Sequence, residues 1–263
     1  MKNNKINQKL RAFGIVVFSI GLFLIAQKTA AQTNTELFEQ ANELYRNSKF
    51  TESITIYEQI EKSGVESSEL FFNLGNAYYK INKVAASIYN YEKALKLDAQ
   101  NEDAKTNLIF ARRMTIDVIE ELPKTVLQNL EENYVQKLSY NQWAIASVIF
   151  SVLTGVFFLL FYFSYIPNKK RLYFVSAVLS ILFFVVSILL TLKEYEFAKT
   201  NIEAIVFLEK VSVNTAPTNA SDEAFELHEG TKVVVLDKVD TWKKIKIADG
   251  KIGWISANAI KEF

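Results

Sequence analysis

The side chains that could catalyse a reaction are few in this sequence of 263 residues. It has no cysteine, which excludes thiol catalysis, disulfides and cysteine metal sites, and its single histidine is His228. A catalytic triad would depend on His228, which lies beside a predicted turn and is interpreted as a surface residue. The carboxylate pairs Glu120-Glu121 and Glu131-Glu132 fall on predicted helices and are interpreted as solvated faces. We therefore predict a protein that is not an enzyme, with no cofactor and no metal site.

The charge balance argues against a nucleic-acid partner. The 30 lysines and arginines nearly match the 29 aspartates and glutamates, so the net charge is +1 and no basic field is present. Function must therefore be sought in the way the elements of the chain are arranged.

The first residues have the pattern of a secretory signal. Lys2, Lys5 and Lys9 precede an uncharged segment at residues 12–26, which is short for a membrane span. Small residues at 29–31 predict cleavage before Gln32, so residues 1–31 are predicted to be a signal peptide. An uncleaved anchor is the alternative, and both interpretations place the following residues outside the cytoplasm.

Two later segments are long and apolar enough to cross a bilayer. Residues 143–166 and 172–192 carry no charge over 24 and 21 positions, and about 20 residues are needed. The basic turn between them, residues 167–171, contains Lys-Lys-Arg and is predicted to be cytoplasmic. We predict a two-helix transmembrane hairpin with both flanks on the opposite side; a buried soluble hairpin is the alternative.

An internal repeat precedes the membrane segments. A shift of 34 residues aligns Ala41 with Gly75 and Tyr57 with Tyr91. This period, with small residues where helices cross, resembles the tetratricopeptide repeat. The predicted domain covers residues 32–121, with repeats at 34–67 and 68–101 and a capping helix at 102–121. Leucines at helical spacing then predict a juxtamembrane linker helix at 122–142.

The resemblance to this repeat implies a concave groove lined by the first helix of each hairpin. The lining positions carried over from the family are Phe38, Asn42, Tyr45, Arg46, Phe72, Asn73, Asn76, Tyr79, Lys80, Asn107, Phe110 and Arg113. Asparagine amides can bond a peptide backbone, cations can hold a carboxylate, and aromatic rings give apolar contact. The groove is therefore expected to bind a peptide segment, and a solvated spacer face is the alternative.

The C-terminal segment changes from helical to alternating patterns. After a linker at 193–203, residues 204–263 contain several short strand patterns, and Asp249-Gly250 predicts a hairpin turn. The Glu229-Gly230-Thr231 turn and the ending Gly253-Trp254-Ile255 resemble a bacterial SH3-like domain, which implies a small all-β barrel. Trp242 and Trp254 are its candidate ligand-binding residues, and purely structural roles for both are the alternative.

The order of these modules predicts a multidomain membrane protein of all-α tetratricopeptide hairpins, a two-helix transmembrane hairpin and an SH3-like barrel. This combination resembles the BatE-type proteins of the Bacteroides aerotolerance system. The resemblance implies a place in the bacterial inner membrane, with both soluble modules in the periplasm. It also implies protein partners of the membrane-anchored von Willebrand factor A type and a MoxR-type ATPase.

Two functional hypotheses follow from this arrangement. In the first, the protein is a membrane-anchored adaptor that binds partner segments in the repeat groove, within an envelope-stress or aerotolerance complex. In the second, it is a cell-wall sensor that binds peptidoglycan peptide through the SH3-like barrel, and the repeats only act as a spacer.

Overall fold

The computed structural model describes residues 34–120 and 122–263 of the chain, so the predicted signal peptide lies outside the described residues. The helices are α1 (34–46), α2 (Phe50–Lys62), α3 (Ser68–Lys80), α4 (Val84–Leu97), α5 (Glu102–Arg112), α6 (Val126–Leu130), α7 (Tyr140–Phe163) and α8 (Pro167–Thr200). A π-helical turn, Glu131–Val135, continues α6. The strands are β1 (Ile202–Val206), β2 (Lys210–Asn214), β3 (Glu223–His228), β4 (Lys232–Val239), β5 (Trp242–Lys246), β6 (Ile252–Ser256) and β7 (Ile260–Glu262).

Two helical hairpins, α1–α2 and α3–α4, have the same turn chemistry. Ser48 and Asn82, which are 34 residues apart, follow the first helix of each hairpin with φ values of 60° and 56°. The amide after each donates to the carbonyl five positions earlier, at 2.9 and 3.0 Å. This is the Schellman motif, which satisfies the last carbonyls of a helix and reverses the chain. The sequence repeat is therefore also a repeat of local geometry.

Close approach within the second hairpin depends on a glycine. Tyr91 on α4 is 1% exposed, and a Cβ atom on Gly75 of α3 would lie 2.7 Å from its ring. Only glycine leaves space for the ring at this crossing. Tyr57 is buried to the same extent between α1 and α2, so each tyrosine fills the centre of its hairpin.

The segment between the repeats and α7 differs from the prediction of two helices. The capping helix predicted at 102–121 ends at Arg112, and residues 113–120 contain no further helix. Asp117 in this segment bonds instead to the turn between β3 and β4. The linker helix predicted at 122–142 is reduced to α6 and its π-helical turn, because a capping box of Thr125 and Gln128 starts the helix only there.

The long apolar helices α7 and α8 pack against each other. Both are long and apolar enough to cross a membrane. The buried Ser180 hydroxyl donates to the Phe150 carbonyl at 2.9 Å, and the rings of Phe150 and Phe183 stack at 5.3 Å. A small side chain at Ser180 thus allows the close contact that membrane helices use.

Both ends of α8 differ from the predicted boundaries of the second apolar helix. The basic residues 167–171, predicted to be a turn, form the first residues of α8, because Pro167 has the fixed φ that favours the first helical position. The helix then continues past residue 192 into the predicted linker. Lys193 on this extension pairs with Glu131 at 2.9 Å, which connects the π-helical turn to α8.

The C-terminal strands form an antiparallel sheet in the order β3-β2-β6-β5-β4-β1-β7. We call residues 202–263 the β domain, since Ile202 already pairs with Val235, slightly before the predicted start at 204. Val213, Ile245 and Ile255 are fully buried in its core. The alternation of fully buried residues with less buried ones along β6 follows the period of two expected of strands.

The β domain docks on α4 through an apolar contact. The ring of Tyr89 lies 5.7 Å from the rings of both Phe207 and Phe263, and its hydroxyl donates to the Glu262 carbonyl at 3.1 Å. Ile205 of β1 is fully buried in the same cluster as Ile88 of α4. We call this contact between the helical hairpins and the β domain the joint.

A buried carboxylate lies at the edge of the joint. Glu92 of α4 is 6% exposed, and its two oxygens contact Lys232 at 2.8 Å and Arg112 at 2.6 Å. Lys232 also contacts Glu203 at 2.9 Å. Burial raises the pKa of Glu92, but the two cations outweigh it and hold the pKa below its usual value. The carboxylate therefore stays charged, and one of its cations comes from the β domain.

The turn between β3 and β4 completes the joint. Gly230 has φ +86°, and a Cβ atom there would lie 2.6 Å from Thr115 and 3.0 Å from Ile88. Glycine is needed both for this backbone conformation and for the close approach to the helices.

We predict that Glu92→Gln loosens the joint. Removing one member of a buried ion pair costs about 3–5 kcal/mol, and the lower end applies because Lys232 keeps Glu203. Hydrogen–deuterium exchange of the full chain should show amides of α4 and β4 exchanging about 100-fold faster. The control Glu66→Gln alters a carboxylate that is 60% exposed and should leave exchange unchanged. Equal exchange in the two variants would contradict the role of Glu92.

Candidate protein-interaction site

The first helices of the hairpins line a common surface, which we call the repeat groove. It contains two adjoining cavities of about 220 and 170 Å³ that share Tyr45 and Asn76. The predicted residues that line these cavities are Asn42, Tyr45, Arg46, Asn73, Asn76, Tyr79, Lys80, Asn107 and Phe110. Helices α1, α3 and α5 thus bring most of the predicted site residues together.

An asparagine ladder forms the floor of the repeat groove. Asn42 Oδ1 accepts from the Tyr57 hydroxyl at 2.6 Å and from Asn73 Nδ2 at 3.1 Å. The same arrangement recurs one repeat later, where Asn76 Oδ1 accepts at 2.6 and 2.7 Å from a tyrosine hydroxyl and an asparagine amide. The donors there are Tyr91 and Asn107. Each oxygen is therefore saturated, and the amide Nδ2 is the group that Asn42 and Asn76 can offer to a ligand.

The sequence repeat aligns Tyr57 with Tyr91, and neither tyrosine was among the predicted groove residues. Tyr57 and Tyr91 also line the groove cavities, so their hydroxyl groups set the orientation of the asparagines. Burial raises the pKa of both hydroxyls, which keeps them protonated as donors. Their 34-residue separation was the available signal, because it matches that of Asn42 and Asn76.

Three predicted groove residues have other surroundings. Phe38 and Phe72 pack in the hairpins with ring centroids 5.8 and 6.2 Å from Tyr57 and Tyr91. Arg113 lines a different cavity, which lies between the segment that follows α5 and the β domain. None of these three residues lines the two groove cavities, and the predicted cations that do line them are Arg46 and Lys80.

The β domain presents its two tryptophans away from its core. Trp242 and Trp254 lie on adjacent strands β5 and β6 and are half-buried. Lys244, opposite Trp254 in the ladder, has its ammonium 5.9 Å from the Trp254 ring. Lys244 and Trp254 thus form a cation–π contact on this outer face.

His228 is not the surface residue that its sequence position indicated. Its Nδ1 lies 2.7 Å from Asp117 and its Nε2 lies 3.4 Å from Glu226. Asp117 also accepts from the Thr231 hydroxyl at 2.6 Å. Burial raises the pKa of Asp117, but these hydrogen bonds outweigh it and lower the pKa below its usual value. The Asp117–His228 pair holds the segment that follows α5 on the β domain.

Comparison with known families identifies the helical hairpins. Residues 68–101 match the tetratricopeptide repeat family. The matched residues are those of the second predicted repeat, α3 and α4, and the same geometry recurs in α1 and α2. No curated protein matches the chain. A tetratricopeptide repeat is a non-catalytic module of protein–protein interaction, so the match of residues 68–101 indicates an interaction scaffold with protein partners.

Residues 34–120 and 122–263 contain no cluster of three histidine, aspartate or glutamate side chains that could hold a metal ion. The acidic side chains of the joint are bonded to cations instead.

We predict that Tyr91→Phe weakens the tetratricopeptide hairpin without changing its packing. The variant keeps the ring but removes a donor to Asn76, which should cost about 1 kcal/mol. Amide exchange of α3 and α4 in the full chain measures this loss. Tyr57→Phe should cost the same in α1 and α2, since it removes the equivalent bond. Tyr134→Phe is the control, because that side chain is 70% exposed; an equal effect of Tyr91→Phe and this control would contradict the ladder.

Proposed function

We propose that this protein is a membrane-anchored adaptor that binds a segment of a partner protein in the repeat groove. The observation that carries this proposal is the asparagine ladder. The ladder repeats across two hairpins. Its amide groups form a row that can hydrogen-bond to the backbone of a bound peptide. The match of residues 68–101 to an interaction repeat supports the same conclusion.

The groove chemistry favours an extended segment that carries a carboxylate. Asn42 and Asn76 can donate through Nδ2 to backbone carbonyls. Arg46 and Lys80 are exposed at equivalent positions of successive repeats, so their charges lie at the same end of the groove. Tyr79 adds a broad apolar surface next to Lys80. An acidic side chain or a terminal carboxylate would receive charge-assisted hydrogen bonds from the two cations.

The membrane arrangement we propose places both soluble modules in the periplasm. Helices α7 and α8 form the anchor, and Lys169, Lys170 and Arg171 begin α8. Basic residues at the end of a membrane helix favour the cytoplasmic side. The repeats and the β domain, which lie at the opposite ends of these helices in the chain, would then share the other side of an inner membrane.

The proposed physiological setting is an envelope-stress or aerotolerance complex. The order of signal peptide, repeats, membrane hairpin and SH3-like domain resembles BatE-type proteins. That resemblance supports von Willebrand factor A-type membrane proteins and a MoxR-type ATPase as neighbours. The alternative, a cell-wall sensor, is supported by the outward Trp254 face of the β domain.

The adaptor function predicts that Arg46→Glu with Lys80→Glu abolishes partner capture. Reversing both charges should weaken binding of a carboxylate segment at least tenfold, or about 1.4 kcal/mol, because such hydrogen bonds contribute about 1.5–3 kcal/mol each. Crosslinked pull-down from native membranes, followed by mass spectrometry, measures capture.

The matched control is Lys62→Glu on α2, whose side chain is 79% exposed outside the groove. It should retain the partners of the unaltered chain. An unchanged partner list in the groove variant would contradict the adaptor function. Co-sedimentation with sacculi that is lost in Trp254→Ala would favour the cell-wall alternative.

The proposed topology predicts opposite labelling of two exposed positions. Because the chain has no cysteine, Asn168→Cys and Asn219→Cys each introduce a unique thiol. A membrane-impermeant maleimide applied to spheroplasts should label Asn219→Cys in the β domain at once. Asn168→Cys, at the start of α8, should react only after the membrane is permeabilised. Immediate labelling of both would contradict the arrangement.

A further inference from the structure

The segment between α5 and α6 lies on the β domain as an extended chain. We call residues 115–120 and 122–124 the linker. Asp117 and Ile119 face the β domain, whereas Ile116 and Val118 are 69% and 92% exposed. This alternation has the period of two of an extended strand. The linker therefore contacts the β domain in the way that a bound peptide contacts a receptor.

Three anchors hold the linker in place. The Asp117 carboxylate accepts from the Thr231 hydroxyl at 2.6 Å and from the His228 amide at 2.7 Å. Ile119 packs against the core of the β domain. The Leu122 amide then donates to the Ala248 carbonyl at 3.3 Å. The anchors combine a charge, an apolar side chain and a backbone bond.

The contact is only partly filled. A cavity of about 900 Å³ lies between the linker and the β domain, and it is lined on the domain side by Val233 and Ile247. Leu122, at the far end, remains 58% exposed. The cavity thus leaves space beside the anchors, which a bound segment with larger side chains could fill.

The linker can leave without separating the domains. The joint holds α4 on the β domain through Tyr89 and Phe207, and through Glu92 and Lys232. None of these four residues belongs to the linker. The surface under the linker can therefore open while the helical hairpins stay in place.

We propose that this surface of the β domain is a second peptide-binding site, which the linker occupies as an internal ligand. It recognises an extended segment in which an aspartate is followed by an aliphatic residue two positions later and a leucine three positions after that. A partner protein with such a segment displaces the linker. Because a tethered ligand has an effective concentration of about millimolar, the site is closed until such a partner is present.

A labelled peptide with the sequence of residues 115–124 tests this site in the full chain. Fluorescence anisotropy in detergent micelles measures its affinity. The unaltered chain should bind weakly, because its own linker competes. Asp117→Ala removes one anchor of the internal ligand and should bind the peptide at least tenfold more tightly. Ile119→Ala removes the apolar anchor of the internal ligand and should also increase affinity, so the test does not depend on the folding of one variant.

Two controls separate site binding from other effects. Glu120→Ala alters an exposed linker residue and should leave the weak affinity unchanged. A peptide in which the aspartate equivalent to Asp117 is replaced by alanine should not bind the Asp117→Ala chain. The Thr231 hydroxyl and the His228 amide then have no carboxylate acceptor in the peptide. If neither opened variant binds the peptide more tightly than the unaltered chain, the proposal is wrong. That result would leave partner capture by the repeat groove unaffected, since the two sites share no residue.

Discussion

The buried charge of Glu92 is the constraint on which the arrangement of the soluble modules depends. A carboxylate that is 6% exposed must be paired, because an isolated buried charge is very costly. Its partners Arg112 and Lys232 come from α5 and from the β domain. The Glu92 carboxylate of α4 is thus fully paired only when both α5 and the β domain contact α4. The aromatic contact adjoins this pair, because the ring of Phe263 lies 5.7 Å from the Tyr89 ring and 5.6 Å from the Lys232 ammonium.

The joint changes how an adaptor of this kind would work. Two modules connected only by flexible segments would act mainly through effective concentration. Here the repeats and the β domain share a buried contact, so the groove has a defined orientation relative to the Trp254 face. The linker runs from this unit toward α7, and Glu131 connects the π-helical turn to Lys193 of α8. A partner bound at either site is therefore held in a defined position relative to the predicted membrane anchor.

Local features were predictable because they repeat or alternate along the chain. The 34-residue period predicted two hairpins, and it was also visible in Ser48 and Asn82, whose backbone geometry is equivalent. The Asp249-Gly250 turn and the alternation of β5 came from the short-range pattern. The predicted groove residues were carried over from the resemblance to the tetratricopeptide repeat, and most of them line the two groove cavities.

Long-range contacts left no such signal. Glu92 and Lys232 are 140 positions apart, and Asp117 and His228 are 111 positions apart, with no periodicity that connects them. The linker was predicted to be helical, as the end of the capping helix at 102–121 and the start of the linker helix at 122–142. In the structure, the bonds of Asp117 to the β domain replace the helical ones. His228 was assigned to the surface for the same reason: its partner lies on a distant segment.

The distance between the two modules in the intact protein tests the joint most directly. Spin labels at Thr55→Cys in α2 and Asn219→Cys in the β domain are site-specific, because the chain has no cysteine. Double electron–electron resonance of the full chain in lipid should give one narrow distance distribution. A broad distribution would mean that the modules move independently, and it would contradict the account of a single docked unit.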